Sequence, residues 1–261
     1  MSFGNYTKDD SKPKLTHRLQ KIGIPTLDER LKGLPTNSVI LILGDPGAGF
    51  DTFLNQILYL RSKKNSKILY VSLDRPKSEI EFDLHTYGWK SDSWDFIDLS
   101  PTADRDQNRR GNTMSWSMDS INLLQHDLIR RIEETKKELA GNMVTQEYSL
   151  DSCINSLTSM LLNSELHSVL GFLNEYAGAI RDSNGFHFLT LIRGVHGSKT
   201  EAILSHFADV VIEMTSTIAG TDYQKVLGIK KMRGIAAPPT TLFPLEFTEK
   251  GVQPVTTQRV R

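Results

Sequence analysis

The stretch Gly44-Asp45-Pro46-Gly47-Ala48-Gly49-Phe50-Asp51-Thr52 constrains this chain more than any other. It follows Val39-Ile40-Leu41-Ile42-Leu43, a β-branched and leucine run of the kind that forms a strand buried on both faces. It precedes Phe53, Leu54, Ile57, Leu58 and Leu60, whose spacing covers one helical face. A buried strand that turns through glycines directly into an amphipathic helix is the opening unit of an α/β protein. Further apolar runs at Ile68–Leu73, Trp94–Leu99 and Phe186–Ile192 alternate with helical patterns at 78–88, from Met118 onward, at 154–162 and at 166–181. The C-terminal part reads differently, with strands at 209–217 and 223–232 joined by Ala219-Gly220-Thr221-Asp222, then a pair near 242–247 and 252–255. The expected fold class is therefore α/β: a mainly parallel central sheet flanked by helices, with an antiparallel hairpin edge at the C-terminus.

The loop has the outline of a phosphate-binding P-loop, G-x-x-x-x-G-K-[ST]. In that motif glycines let backbone amides close around phosphate oxygens, lysine neutralises charge and a hydroxyl holds magnesium. Gly44 and Gly49 stand where the pattern needs them. Phe50 occupies the lysine position and Asp51 the Ser/Thr position, with Thr52 one residue late and the nearest downstream basic side chain at Arg61. Each charge-assisted hydrogen bond lost is worth roughly 1.5 to 3 kcal/mol, so ATP affinity falls by roughly two or three orders of magnitude unless something compensates. Asp51 repels a triphosphate but is favoured at a helix N-terminus, which suggests a built-in anion that caps the helix. The alternative is a glycine turn that merely needs tight geometry.

Charge and composition exclude several classes. The 261 residues carry 31 basic and 31 acidic side chains, so net charge does not call for nucleic acid or an anionic membrane as partner. No apolar run approaches the ~18 residues of a membrane span, and the N-terminus lacks a secretory apolar region, which predicts a cytoplasmic protein with no membrane partner. The lone Cys153 permits no internal disulfide and reads as a small buried hydrophobe. Residues 1–14 read as a flexible tail, 15–256 as one domain, 102–117 as a polar insert loop and 257–261 as a second tail.

Several strings in order carry a family likeness. Ile24-Pro25-Thr26-Leu27-Asp28 with Leu31-Lys32-Gly33-Leu34-Pro35, the Gly44–Gly49 loop, Leu69-Tyr70-Val71-Ser72-Leu73-Asp74 and Tyr87-Gly88-Trp89 resemble the KaiC-like branch of the RecA/RadA superfamily. Leu150-Asp151-Ser152 and Lys230-Lys231-Met232-Arg233-Gly234 extend the likeness over about residues 17–256. The resemblance implies a RecA-like core that assembles into rings or filaments with nucleotide between neighbours.

It also implies roles. Gly44 to Thr52 become the nucleotide-binding residues, and Asp74 stands where a catalytic glutamate orients water, although a surface Asp-Arg pair is equally compatible with Asp74-Arg75. Asp151 matches the Walker B aspartate of the magnesium shell, to which Thr52 would add a hydroxyl, yet Thr145 to Ser149 are polar for a buried strand. Lys231 and Arg233 match a basic pair that contacts phosphate in the neighbouring subunit; the alternative is an edge strand kept soluble by basic residues.

The resulting expectation is a family member with impaired or absent ATP hydrolysis. ATP and Mg bind weakly or not at all, and the chain acts as an oligomeric assembly or regulatory subunit with copies of itself or a RecA/KaiC-like relative. The alternative is a DNA- or RNA-binding RecA/RadA paralogue that works with an active ATPase, suggested by Arg105, Arg109, Arg110, Met114 and Trp116 in the insert and by Gln258-Arg259-Val260-Arg261. His196 and Arg193, at the carboxyl end of a strand, could sense a phosphate or a partner; His187 lies at the opposite end of that strand.

Overall fold

In a computed structural model of the chain, the described residues are 18–101, 118–141, 148–219, 222–235 and 242–255. Both predicted tails, the 102–117 insert with its arginines, and residues 145–147 lie outside them. Strand β3 (Ser38–Gly44) is buried at every position, as its unbroken apolar run requires. It sits between β7 (Phe186–Ile192) and β8 (Val210–Ala219), parallel to both. Beyond β7 follow β6 (Ser149–Asn155), β4 (Ser66–Ser72) and β5 (Trp94–Asp98), also parallel. Beyond β8 come β9 (Asp222–Met232), β10 (Phe243–Thr248) and β11 (Gly251–Pro254), all antiparallel. Among the described residues these nine strands form one sheet in the order β11-β10-β9-β8-β3-β7-β6-β4-β5. A separate ribbon pairs β1 (Leu19–Gln20) with β2 (Leu34–Pro35).

Alternation along β3 divides the core in two, because successive side chains on a strand point to opposite faces. Ile40 and Ile42 join α1 (Pro25–Leu31), α2 (Phe50–Ser62) and α3 (Lys77–Thr86) through Leu27, Phe53, Ile57, Ile80 and Leu84. Val39, Leu41 and Leu43 join the opposite layer of α4 (Met118–Gly141), α5 (Leu157–Asn163), α6 (Leu166–Ala179) and α7 (Gly197–Phe207), through Leu128, Met160, Phe172 and Leu204. The charged face of α4 carries ion pairs, among them Glu133 with Lys136 at 3.1 Å. Lys136 also donates to the Ala179 carbonyl at 2.9 Å, which tethers α4 to α6. Helix α7 has no counterpart among the helical patterns read from the sequence.

The largest departure concerns β6. The polarity of Thr145 to Ser149 argued against a buried strand here, yet the strand begins at Ser149 and runs to Asn155, with Ser149 through Ile154 buried. Its polar residues are tolerated because each is matched. Arg61, near the end of α2, forms a fork with Asp151: Nε to Oδ2 at 2.8 Å and Nη2 to Oδ1 at 3.2 Å, with side-chain exposures of 6% and 0%. The guanidinium also donates to Gln20 and Ser149 and lies 4.5 Å from the Phe186 ring centroid. The Asp151 carboxylate accepts further from the Phe186 amide at 2.6 Å and from the Ser66 hydroxyl.

Ser152 bonds Tyr176 and the Nδ1 of His187, both at 2.6 Å, while Ser183 bonds Nε2 at 2.7 Å. Burial, with help from the charges of Arg61 and Lys136, pushes the His187 pKa down to about 3. This histidine is a neutral core residue.

Breaking the ion pair on one side strands a buried charge, which costs about 3 to 5 kcal/mol, whereas apolar replacement of both partners costs far less. Asp151→Ala is expected to lose that much in urea unfolding, and the double variant Arg61→Met/Asp151→Leu to recover most of it. His187 binds a proton in the unfolded chain below pH ~6.5 but in the folded one only near pH 3, so its contribution is present at neutral pH and lost as pH falls. From pH 7 to pH 5 the loss due to His187 is about 2 kcal/mol, and His187→Gln should flatten the pH dependence of unfolding free energy by that amount.

Candidate functional site

The carboxyl ends of β3, β4, β6, β7 and β8 lie along one edge of the parallel sheet, where open α/β sheets hold their ligands. The glycine loop leaves β3 at Gly44 and enters α2 at Phe50. Gly49 caps the helix at φ +81°, a left-handed geometry suited to glycine, and a Cβ there would fall 2.4 Å from the Phe247 ring. A Cβ on Gly44 would fall 2.1 Å from Cδ1 of Phe50. The Phe50 side chain is thus folded back over the end of β3 and is only 7% exposed, packed in the core with Ala48.

The rest of the loop is held by charge. Asp45 takes two hydrogen bonds from Arg193, Nε to Oδ1 at 2.6 Å and Nη2 to Oδ2 at 3.1 Å, and a third from the Ser216 amide. Arg193 also reaches Glu213 at 3.0 Å, as does Lys230 at 3.2 Å. The Arg193 backbone amide donates to the Gly44 carbonyl at 2.9 Å. Arg193, read from the sequence as a phosphate or partner sensor, is thereby engaged with the loop's own carboxylate. His196 precedes α7 and its Nε2 is buried without a partner.

Asp51 lies in the first turn of α2, behind the Gly49 cap. Its Oδ1 accepts from Asn155 Nδ2 at 3.1 Å. Asn155 ends β6; its Nδ2 also donates to Tyr70 Oη at 3.0 Å, and its Oδ1 accepts from Thr190 at 2.7 Å. Thr190 and Tyr70 together hold the amide with its donor side toward Asp51. Burial raises the Asp51 carboxyl above the ordinary carboxylate range, and the Asn155 hydrogen bond offsets part of that. Asp74 lies close by, accepting from Ser156 Oγ at 2.6 Å. Phe50, Asp51, Ser72, Asp74, Arg75, Asn155 and Ser156 line a cavity of about 60 Å³.

Two other expected residues are placed elsewhere. Asp151 aligns through Ile68 with the early part of the sheet, beside Phe186, which pairs with Ser38. Six residues of β3 separate that level from Gly44, about 20 Å at ~3.3 Å per residue. Asp151 therefore holds Arg61 and stands away from any metal at the loop; the strand-end position belongs to Asn155. The cue was present in Asn155-Ser156-Leu157 after buried Cys153-Ile154, but Leu150-Asp151-Ser152 offers a carboxylate in a similar setting, and only the strand register separates the two.

Lys231 spends its ammonium on the carbonyls of Ser205, His206 and Ala208, at 3.1, 2.7 and 2.5 Å, closing the end of α7. Arg233 lies just past the end of β9 and pairs with Asp209 at 2.8 Å. Thr52 faces a second cavity, between α2 and α3. Among the described residues no group of three or more His, Cys, Asp or Glu side chains is arranged to hold a metal.

A strand-loop-helix phosphate motif at the central strand of this sheet defines a RecA-type P-loop domain. Residues 20–258 match the family profile described as the KaiC ATPase, and the chain belongs to that family. A UPF0273 protein of Thermotoga maritima is 22% identical over 241 residues, covering 89% of this chain and 93% of that protein. A UPF0273 protein of Pyrococcus horikoshii is 23% identical over 245 residues, covering 91% and 94%. A KaiC-like protein of Pyrococcus horikoshii, known from its crystal structure, superposes with a TM-score of 0.67 at 18% identity, over 92% of this chain and 99% of that one.

The Gly44–Phe50 contact is testable by a double-mutant cycle. Gly44→Ala places its methyl inside the Phe50 ring and is expected to destabilise by about 1 to 3 kcal/mol. In a Phe50→Ala background the same change should be much less destabilising, giving a coupling of at least about 1 kcal/mol in chemical denaturation.

Proposed function

We propose that this KaiC-family domain does not turn over ATP and serves as an assembly or regulatory subunit, binding nucleotide weakly or not at all. The observation that carries this reading is the inward Phe50 ring at the position of the phosphate-binding lysine, followed by a buried Asp51 carboxylate instead of a hydroxyl. The hydrogen-bonded pair that would prepare a magnesium ion is chemically altered as well. In an ordinary P-loop protein a hydroxyl on the helix faces a carboxylate on the strand end; here a carboxylate on the helix faces the Asn155 amide. The Asp45 carboxylate at the loop's entrance is neutralised by Arg193, so that cation is engaged before any phosphate arrives.

Asp74 is positioned on the same edge and could orient a water, but without lysine and magnesium ligands there is little developing charge stabilisation for it to exploit. In trans, Arg233 is the better candidate of the basic pair for contacting a neighbour, because Lys231 is consumed by three carbonyls of its own chain. Association with further copies or with a relative that has an intact loop would place this surface at a shared site.

Calorimetric titration with Mg-ATP tests the reading. The unaltered chain is expected to bind at least about a hundredfold more weakly than the variant Phe50→Lys/Asp51→Thr/Asn155→Asp, which restores a cation, a hydroxyl and a strand-end carboxylate. Micromolar Mg-ATP binding by the unaltered chain, with phosphate release abolished by Asp74→Ala, would overturn it.

A further inference from the structure

Between α2 and α3 lies a partly open cavity of about 240 Å³. Its walls are Asp51, Thr52 and Asn55 from α2, Asp83, Leu84 and Thr86 from α3, and Tyr87 and Trp89 just beyond α3. Asp51 and Asn55 are four residues apart on one helix, so both side chains address the same side. Two features of this cavity point to a ligand. The Asn55 carboxamide is 5% exposed, and its Oδ1 is buried with no hydrogen-bond partner. A buried amide group left unmatched is destabilising unless something occupies the space before it.

The second feature is the Asp51 carboxylate. Among the described residues Asp51 makes no ion pair; its one hydrogen bond is from the neutral Asn155 amide. Arg75 attracts the Asp51 carboxylate through space, but it is bound to Asp83 at 2.7 Å and to Glu79 at 3.2 Å, which match its charge. The pocket therefore offers an acceptor-rich, negatively charged interior. Beside it, Trp89 stacks on Tyr87 with centroids 4.5 Å apart and on Tyr59 at 5.8 Å, so the rings form an aromatic wall.

We propose that this cavity binds a small organic cation of the guanidinium or alkylammonium class, whose N–H groups satisfy the Asp51 carboxylate and the Asn55 oxygen while its carbon chain lies along Tyr87 and Trp89. The volume matches such a ligand, being equal to roughly eight waters at about 30 Å³ each. An anion is disfavoured by Asp51 and Asp83, and a neutral apolar ligand would leave both the carboxylate and the amide unsatisfied. The shared chemistry arrives either as a free cation or as an arginine side chain, and the experiment distinguishes the two. This inference goes beyond the absence of ATP turnover and does not depend on it.

Calorimetry of the full chain with agmatine tests the proposal, accompanied by a neutral ureido counterpart, 4-hydroxybutylurea, and by acetyl-arginine amide. Agmatine is expected to bind with saturation and to raise the melting temperature, while 4-hydroxybutylurea is not. Asp51→Asn should weaken agmatine at least about tenfold, and Asn55→Leu by a smaller factor. Preference for agmatine over acetyl-arginine amide assigns the site to a free cation; the reverse assigns it to an arginine side chain presented by a protein. No saturable binding, equal binding of the ureido compound, or unchanged affinity in a folded Asp51→Asn variant would overturn the proposal. Mg-ATP titrated separately keeps the outcomes distinct, since failure of agmatine leaves the reading of the phosphate loop untouched.

Discussion

The fork between Arg61 and Asp151 ties the far end of α2 to β6 beneath the sheet, and the angle at which α2 leaves the glycine loop depends on it. Two charges removed from water are tolerated only if their remaining donors and acceptors are satisfied. Here Gln20, Ser149, Ser66 and the Phe186 amide complete the set. The same contacts link the β1–β2 ribbon, α2, β4, β6 and β7, so a single polar centre fixes the relation between one helical layer and the sheet. With that end anchored, the other end of α2 presents Asp51 to Asn155 and Asn55 to the neighbouring cavity.

At the loop itself packing replaces charge. The Phe50 ring lies against Gly44 and the Phe247 ring against Gly49, so that side chains close on the glycines. The exchange at Asp51 and Asn155 keeps one carboxylate in the region while moving it from strand to helix, where burial makes it harder to ionise. Thr190 and Tyr70 hold the opposing amide in the orientation that this carboxylate needs. The arrangement is internally consistent, and the proposal that this domain does not turn over ATP rests on it.

Much of the fold was legible from patterning. The strands β3, β7, β8 and β9 and the helices α2 and α6 have periodicities that admit few alternatives, and the P-loop outline fixed their connection. Strand β6 was misread because Ser149, Asp151 and Ser152 are polar, and local polarity cannot reveal that Arg61, His187 and Tyr176 arrive from distant elements to satisfy them. The same blindness assigned Asp151 to a metal and left Asn155 unnoticed. Lys231 shows the converse: its type and position suggested a phosphate contact, whereas its actual partners are carbonyls at the end of α7.

The sequence alone determined the α/β class, the family, and the identity of the groups at the loop, because buried strands, helical faces and motif order are written in local spacing. It determined as well that no lysine follows Gly49. Tertiary structure decided which carboxylate meets the loop, that Phe50 turns into the core, that Arg193 neutralises Asp45, and that Asn55 is left without a partner beside an acidic cavity. Those outcomes depend on contacts between residues far apart in the chain, up to 148 positions for Asp45 and Arg193. Only the strand order and register of the folded sheet bring such residues together.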